Sequence, residues 1–283
     1  MEEEKRKIFY KKIQRIVFEN FNYCNRTCSF CVNSIIDRRS NKIIMNDFDF
    51  NNLIEELSNN NYSNTIAIGR YSEPLSMLLT FERLMVIKKR LSEAKIIINT
   101  NGDYLNIDMI RELDNYGVNE LKIMVYLPEK VMFNKFNAEW FSLSKLYEIG
   151  LPFNLTNESD SILYFNIRHT GQMKISLRCE NYSNPNHGCD RGGSLPRLSS
   201  SKRLQPCFAP YFEINIDYNG NVLPCCNIVS DYLPHKDFIL GNISNNTLYE
   251  IYFNELSCWF RETLKDPVTF QSPCINCSYK FPK

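Results

Sequence analysis

The run Cys24-Asn25-Arg26-Thr27-Cys28-Ser29-Phe30-Cys31 gathers three thiols within eight residues of a 283-residue chain. Thiolates are soft ligands that suit zinc and iron–sulfur clusters. A structural zinc site closes with four ligands, so three local cysteines would need a distant fourth. A [4Fe-4S] cubane held by three cysteines leaves one iron with an open position. A small molecule can bind there and be reduced, which gives a chemical reason for the run to stop at three.

The chain has eleven cysteines, an odd number. No apolar stretch at the N-terminus reads as a signal peptide, and no run approaches the ~20 apolar residues a membrane span needs. A cytoplasmic, reducing location is therefore expected, and clustered cysteines there argue for metal or catalysis over disulfides. The formal net charge of +1 supplies no overall field toward nucleic acid or membrane. The acidic run Glu2–Glu4 and the basic residues after it read as a solvated N-terminal stretch.

The elements that must position the cysteines alternate between strand and helix. Strands are expected over 14–21, 64–69, 95–102 and 120–127, with helices over 47–60, 77–91, 106–117 and 139–150. Weaker strands are expected over 161–168 and 172–178. This alternation implies βαβ units and a parallel sheet, with functional groups at the carboxyl ends of the strands. Cys24 to Cys31 follow the first strand and so lie on that face. Near residue 180 the composition turns to Ser, Asn, Gly and Pro and reads as a long loop. Beyond it, "YFEINIDYNGNVLPCC" reads as a β-hairpin turning at Asn219-Gly220, and a short helix is expected over 247–264. Two domains are expected, 1–198 and 199–283.

The Cys24-x3-Cys28-x2-Cys31 spacing after a first barrel strand resembles the signature of the radical S-adenosylmethionine (SAM) superfamily. The resemblance implies an α/β fold: a partial (βα)5-6 barrel with a small C-terminal α+β domain. It also implies that the open iron chelates SAM, whose cleavage yields a 5′-deoxyadenosyl radical. Phe30 would then lie near the adenine. "GRYSEPL" resembles the segment that holds the SAM amino group, with Glu73 as the carboxylate and Ser72 where a glycine is usual. "INTNGDYL" resembles the ribose and carboxylate contacts, with Thr100 and Asn101 as candidates. The plainer readings are a solvated loop acid for Glu73 and a simple Asn-Gly turn for 101–102.

Cys207-x12-Gly220-x4-Cys225 followed by Cys274-x2-Cys277 resembles the twitch domain, the short form of the SPASM domain. That implies a second, auxiliary [4Fe-4S] cluster on these four cysteines; a zinc ribbon is the alternative. Further segments in order, "DRGGSL", "GNVLPC", "LGNIS" and "CINC", resemble the 2-deoxy-scyllo-inosamine dehydrogenase type, with the neomycin-type epimerases as relatives. The likeness fades over 126–175, a stretch expected to line the substrate pocket. The dehydrogenase type implies oxidation of a hydroxyl-bearing carbon of a sugar- or aminocyclitol-like molecule, in antibiotic or carbohydrate biosynthesis. Arg191 would hold the substrate hydroxyl, and an electron donor such as flavodoxin or ferredoxin would serve as partner. A surface loop charge is the plainer reading of Arg191.

An epimerase would instead return a hydrogen atom from a thiol. Cys189, Cys226 and Cys258, together with Cys179, are the spare cysteines that could supply it, although free cysteines usually serve as small buried hydrophobes. His187, close to the RGG segment, could act as a base; the plainer reading is a solvated loop residue. A peptide-modifying relative would carry an added peptide-binding domain, for which about a dozen residues before the first strand leave no room. A non-catalytic zinc module is the alternative of another class.

Overall fold

The computed structural model describes residues 2–184, 187–195, 202–277 and 279. Helix α1 (Glu2–Lys12) leads into β1 (Arg15–Phe18). Strand and helix then alternate through α2 (Asp47–Asn59), β2 (Thr65–Ile68), α3 (Leu79–Arg90), β3 (Lys95–Thr100), α4 (Ile107–Asn115), β4 (Val118–Val125) and α5 (Lys135–Ile149). A hairpin, β5 (Phe153–Ser159) and β6 (Ile162–Ile167), precedes β7 (Lys174–Glu180). After α6 (Ala209–Phe212) come β8 (Glu213–Ile216), β9 (Asn221–Leu223), β10 (Gly241–Asn242), α7 (Leu248–Phe253) and α8 (Glu255–Thr263).

These strands form one open sheet in the order β10-β9-β8-β1-β2-β3-β4-β7-β6-β5. Neighbours from β8 across to β7 are parallel, and both flanks are antiparallel. The architecture is the expected partial barrel. Its wall alternates with the period of two that a strand imposes. Ile16, Phe18, Ile66, Ile68, Ile96 and Ile98 pack outward into one core with Leu53, Leu57, Leu84, Ile87 and Leu113 of the helices. Val17, Ala67 and Ile97 face the other way as a separate small cluster. The inner face therefore carries smaller side chains, which leaves room for a cavity.

The helices start where their caps dictate. Asn46, Asn106 and Asn134 each accept a backbone N–H of the first turn, a bond that satisfies one of the orphan donors of a helix start. Gly150, at φ 72°, ends α5.

Three segments depart from the sequence reading. The N-terminal stretch is helical and buries Phe9 and Tyr10, with Phe9 against Tyr249, Tyr252 and Phe253. Strand β5 was not expected. The region 247–264 is two helices, because Asn254 ends α7 and its side chain caps α8. The expected domain boundary at 198/199 lies outside the described residues. The Asn219-Gly220 turn is present, with Gly220 at φ 77°. The strand it serves, β8, pairs directly with β1, from Arg15 opposite Glu213 to Phe18 opposite Ile216.

Candidate active site

The three-cysteine loop leaves β1 at the carboxyl edge of the sheet. Its tight turn is closed by the Cys31 N–H donating to the Cys28 carbonyl at 2.8 Å. The loop is clamped to the segment after β3. Arg26 donates to both carboxylate oxygens of Asp103, at 2.6 Å from Nε and 2.5 Å from Nη2, the bidentate geometry that fixes a guanidinium. Asn25 donates to the same carboxylate at 2.7 Å and accepts from Asn101 Nδ2 at 2.8 Å. Cys24, Cys28 and Cys31 line a cavity of about 300 Å3 together with Phe30, Ser72, Glu73, Thr100, Asn101, Arg191 and Cys226.

Glu73 is not a solvated loop acid, since its exposure is only 2%. Thr100 Oγ1 donates to its Oε1 at 2.6 Å, the Asn101 N–H to its Oε2 at 2.7 Å, and the Leu75 N–H to Oε1 at 3.1 Å. Burial raises its pKa, while these hydrogen bonds favour the ionised form. The carboxylate thus joins the "GRYSEPL" and "NTNGDYL" segments at the cavity wall. A second buried acid supports the same wall from behind. Glu19 Oε1 accepts the N–H groups of Tyr71 at 2.9 Å and Ser72 at 3.1 Å, and pairs with Arg38 Nη1 at 2.7 Å. Arg38 Nη2 then reaches Asp231 Oδ2 at 3.0 Å, which links this wall to the C-terminal region.

Phe30 stacks on Tyr182 with ring centroids 4.0 Å apart and planes 16° apart, and Tyr126 stands 5.1 Å away. All three rings line the cavity. Of the stretch 126–175, Tyr126 lines the cavity; the other walls near it come from Lys122, Met124 and Tyr182. Among the described residues, the expectation that this stretch lines the pocket holds for Tyr126 alone. Most of it builds α5 and the β5–β6 hairpin at the edge of the sheet.

Arg191 is not a surface charge, since it lines the same cavity. Its backbone sits at φ 51°, a left-handed conformation that a side-chain-bearing residue adopts only when its surroundings impose it. The surroundings are visible. Gly192, at φ 63°, has no room for a Cβ, which would fall 2.9 Å from His235 Nε2. The Val229 N–H donates to His235 Nδ1 at 3.0 Å, so Nε2 carries the proton and donates to the Gly192 carbonyl at 2.8 Å. Burial lowers the His235 pKa. The Arg191 guanidinium lies 5.8 Å from the Tyr71 ring and donates from Nη1 to Asn227 Oδ1 at 3.0 Å. Its buried Nε meets no acceptor among the described residues.

The second cysteine set lies against apolar side chains. Cys207, Cys225 and Cys274 pack with Ala209, Phe260, Leu264 and Phe270. Cys277 accepts from the Tyr279 N–H at 3.4 Å and Asn227 Nδ2 at 3.7 Å. Burial and neighbouring thiols push Cys274 up to about 12. The same two causes push Cys28 up to about 12 in the first set, and burial, aided by the Glu73 carboxylate and then Cys31, pushes Cys24 up to about 11. Adjoining thiols of this kind ionise together only with a cation among them, as metal ligands do. Among the described residues, no three His, Cys, Asp or Glu side chains converge closely enough to hold a single ion. A cubane, with four irons at its corners, takes a wider set of thiols. Both cysteine sets fit it in donor type and number.

The spare cysteines separate. Cys226 lines the cavity, its thiol pushed up to about 12 chiefly by burial. Cys189 donates to Asn227 Oδ1 at 3.0 Å. Cys179 is fully buried at the end of β7. Cys258 is not among the cavity-lining residues; its thiol lies 3.6 Å from the Phe253 carbonyl and 3.4 Å from Arg261 Nη2. His187 pairs with Glu180 at 2.8 Å. Sequence reasoning missed Glu19, Arg38, Tyr126, Tyr182 and Asn227. Of these, Asn227 carried the nearest signal, directly after Cys225-Cys226.

The comparisons with known proteins agree with this geometry. The model of the radical SAM superfamily matches residues 20–129, and that of the SPASM iron–sulfur cluster-binding domain matches 207–278. The S-adenosyl-L-methionine-dependent 2-deoxy-scyllo-inosamine dehydrogenase of Niallia circulans is 25% identical over 270 residues, 95% of this chain and 94% of that protein. The crystal structure of BtrN in complex with AdoMet and 2-DOIA superimposes with a TM-score of 0.70 at 22% identity, covering 94% of this chain and 93% of that one. The open conformation of BtrN gives 0.62 at 20% identity, covering 94% and 92%. These two structures establish the shared fold. The two domains bring SAM and iron–sulfur clusters as cofactors. The chain thus carries a radical SAM domain, with three cysteines lining its cavity, followed by a SPASM-type iron–sulfur cluster-binding domain.

Proposed function

We propose that this protein is a radical SAM dehydrogenase that oxidises a hydroxyl-bearing carbon of a sugar- or aminocyclitol-like small molecule to a ketone. The observation that carries the reading is the coincidence of end-to-end likeness to such a dehydrogenase with an Arg191 that faces the three-cysteine cavity and has a donor to spare. Cys24, Cys28 and Cys31 would hold the SAM-binding cluster, and Cys207, Cys225, Cys274 and Cys277 the auxiliary one. When bound, the first cluster supplies the electron that cleaves SAM to methionine and a 5′-deoxyadenosyl radical, and the second takes the electron released as the substrate carbon becomes a ketone.

The chain's own residues do the positioning. Ser72 and Glu73 receive the SAM amino group, Thr100 and Asn101 its ribose and carboxylate, and Phe30 with Tyr182 and Tyr126 the adenine. Arg191 keeps its proton at all working pH values and holds the substrate hydroxyl through fixed donors. An external one-electron donor such as flavodoxin or ferredoxin would prime the reaction, in the cytoplasm. Among the described residues, no helix is long and apolar enough to cross a membrane.

A second reading, epimerisation, is favoured by one observation: the Cys226 thiol lines the cavity beside Arg191. One experiment tests both readings. The iron–sulfur-loaded enzyme is turned over anaerobically with SAM in deuterated water, with 2-deoxy-scyllo-inosamine and a panel of aminocyclitols and sugars. Dehydrogenation gives a product lacking two hydrogens and a 5′-deoxyadenosine carrying the substrate's hydrogen. Epimerisation gives a product of substrate composition with one solvent deuterium on carbon, lost in Cys226→Ala. Brown, cluster-loaded protein that forms no 5′-deoxyadenosine with or without substrate would refute both.

A further inference from the structure

Asn227 is 1% exposed, and its side-chain amide is bonded to Arg191 at one end and to Cys277 at the other. Its Oδ1 accepts from Arg191 Nη1 at 3.0 Å and from the Cys189 thiol at 3.0 Å. Its Nδ2 donates to Cys277 Sγ at 3.7 Å. The orientation of the amide is forced. A guanidinium only donates, so the carbonyl end must face Arg191, and the amide nitrogen is left for the sulfur. We infer that Asn227 is a positioning residue that couples the substrate-holding Arg191 to the auxiliary cluster through the Cys277 sulfur, raising that cluster's reduction potential. The inference rests on the reading that Cys207, Cys225, Cys274 and Cys277 carry a cluster.

The physics has two steps. An N–H donor at a ligand sulfur places partial positive charge where an added electron would reside. It therefore stabilises the reduced cluster, and hydrogen bonds to sulfur are among the factors that set such potentials. The cation of Arg191 at the other end of the same amide pulls electron density toward Oδ1 and makes the Nδ2–H a stronger donor. Hydrogen bonds in series reinforce one another in this way. The sulfur thus senses what occupies Arg191. A substrate hydroxyl on the guanidinium and the potential of the electron acceptor are linked through one amide.

The test is an EPR-monitored redox titration of the full-length, cluster-loaded protein. SAM perturbs the signal of the open-site cluster and so leaves the auxiliary signal to be followed. Asn227→Asp keeps the acceptor for Arg191 but removes the donor to Cys277 and adds negative charge. Asn227→Leu removes both. Each should move the auxiliary potential to more negative values, Asp further than Leu. Arg191→Gln should shift it in the same direction by less, and should have no further effect in the Asn227→Leu background, the non-additivity that marks a shared path. An auxiliary potential that is unchanged in both Asn227 variants, with the cluster retained, would overturn the inference alone. Equal Arg191→Gln shifts with and without Asn227 would overturn the coupling. A wild-type protein that binds four irons rather than eight would remove the auxiliary cluster itself, and with it this inference.

Discussion

The two cysteine sets are built from the same ligand in opposite settings. Cys24, Cys28 and Cys31 sit on a loop at the carboxyl edge of the parallel sheet and face a cavity of about 300 Å3. That loop is held by polar clamps, chiefly Arg26 on Asp103. Cys207, Cys225 and Cys274 sit instead among Ala209, Phe260, Leu264 and Phe270. The first setting leaves space for a ligand to come and go. The second is walled by apolar side chains. The difference teaches that openness is set by what surrounds the thiols: backbone and ion pairs at one site, apolar side chains at the other.

The sharpest way to break this comparison is to remove one ligand from each set. Cys28→Ala should abolish SAM cleavage, with 5′-deoxyadenosine falling to background while the second set keeps its iron. Cys225→Ala should retain SAM cleavage but lose the ketone product. Identical phenotypes, measured by iron content and product analysis, would mean that the two sites do not divide the labour. The next effect tests how rigidly the two settings are joined. Arg38 bridges Glu19 and Asp231 and is itself only 1% exposed at the side chain. Arg38→Leu strands buried carboxylate charge and should cost about 3–5 kcal/mol of stability by denaturant titration.

A smaller effect sharpens the account of the open site. Arg26→Ala releases a partly buried pair, its side chains 30% and 27% exposed, worth about 1 kcal/mol. It should weaken SAM binding modestly, read by isothermal titration, and leave the auxiliary cluster signal unmoved. The smallest is a pH effect on the Arg191 loop. Burial holds the folded-state pKa of His235 below its ordinary 6.5. As pH falls, the unfolded chain takes up the proton first. The stabilisation is whole above 6.5 and is lost as pH drops from there through the lowered folded value. Thermal melts should show this loss, and His235→Gln should flatten it.

Much of this site was legible because it is local in sequence. Three cysteines in eight residues, Glu73 after a buried strand, and Asn101-Gly102 at a strand end are each short signals with a chemical meaning. What was not legible is long-range. Arg38 meets an aspartate 193 positions away, and the Tyr182 ring that stacks on Phe30 comes from beyond β7; no periodicity encodes such pairings. Strand β5 escaped because it is exposed along nearly its whole length, without the apolar alternation that marks a half-buried strand. Cys226 and Cys258 looked equivalent as spare thiols, and only the packing of the C-terminal region separates the cavity-lining one from the one on α8.

The pairing of β8 with β1 has a consequence for biogenesis. Until residues 213–216 leave the ribosome, β1 is an edge strand on that side, its hydrogen-bonding groups facing water or any other strand that comes by. The platform beneath Cys24, Cys28 and Cys31 is therefore completed only after some three quarters of the chain has been synthesised. Delivery of iron and sulfide to that loop has to wait for, or tolerate, an unfinished support. Truncations before residue 213 should yield aggregation-prone chains that fail to retain the first cluster.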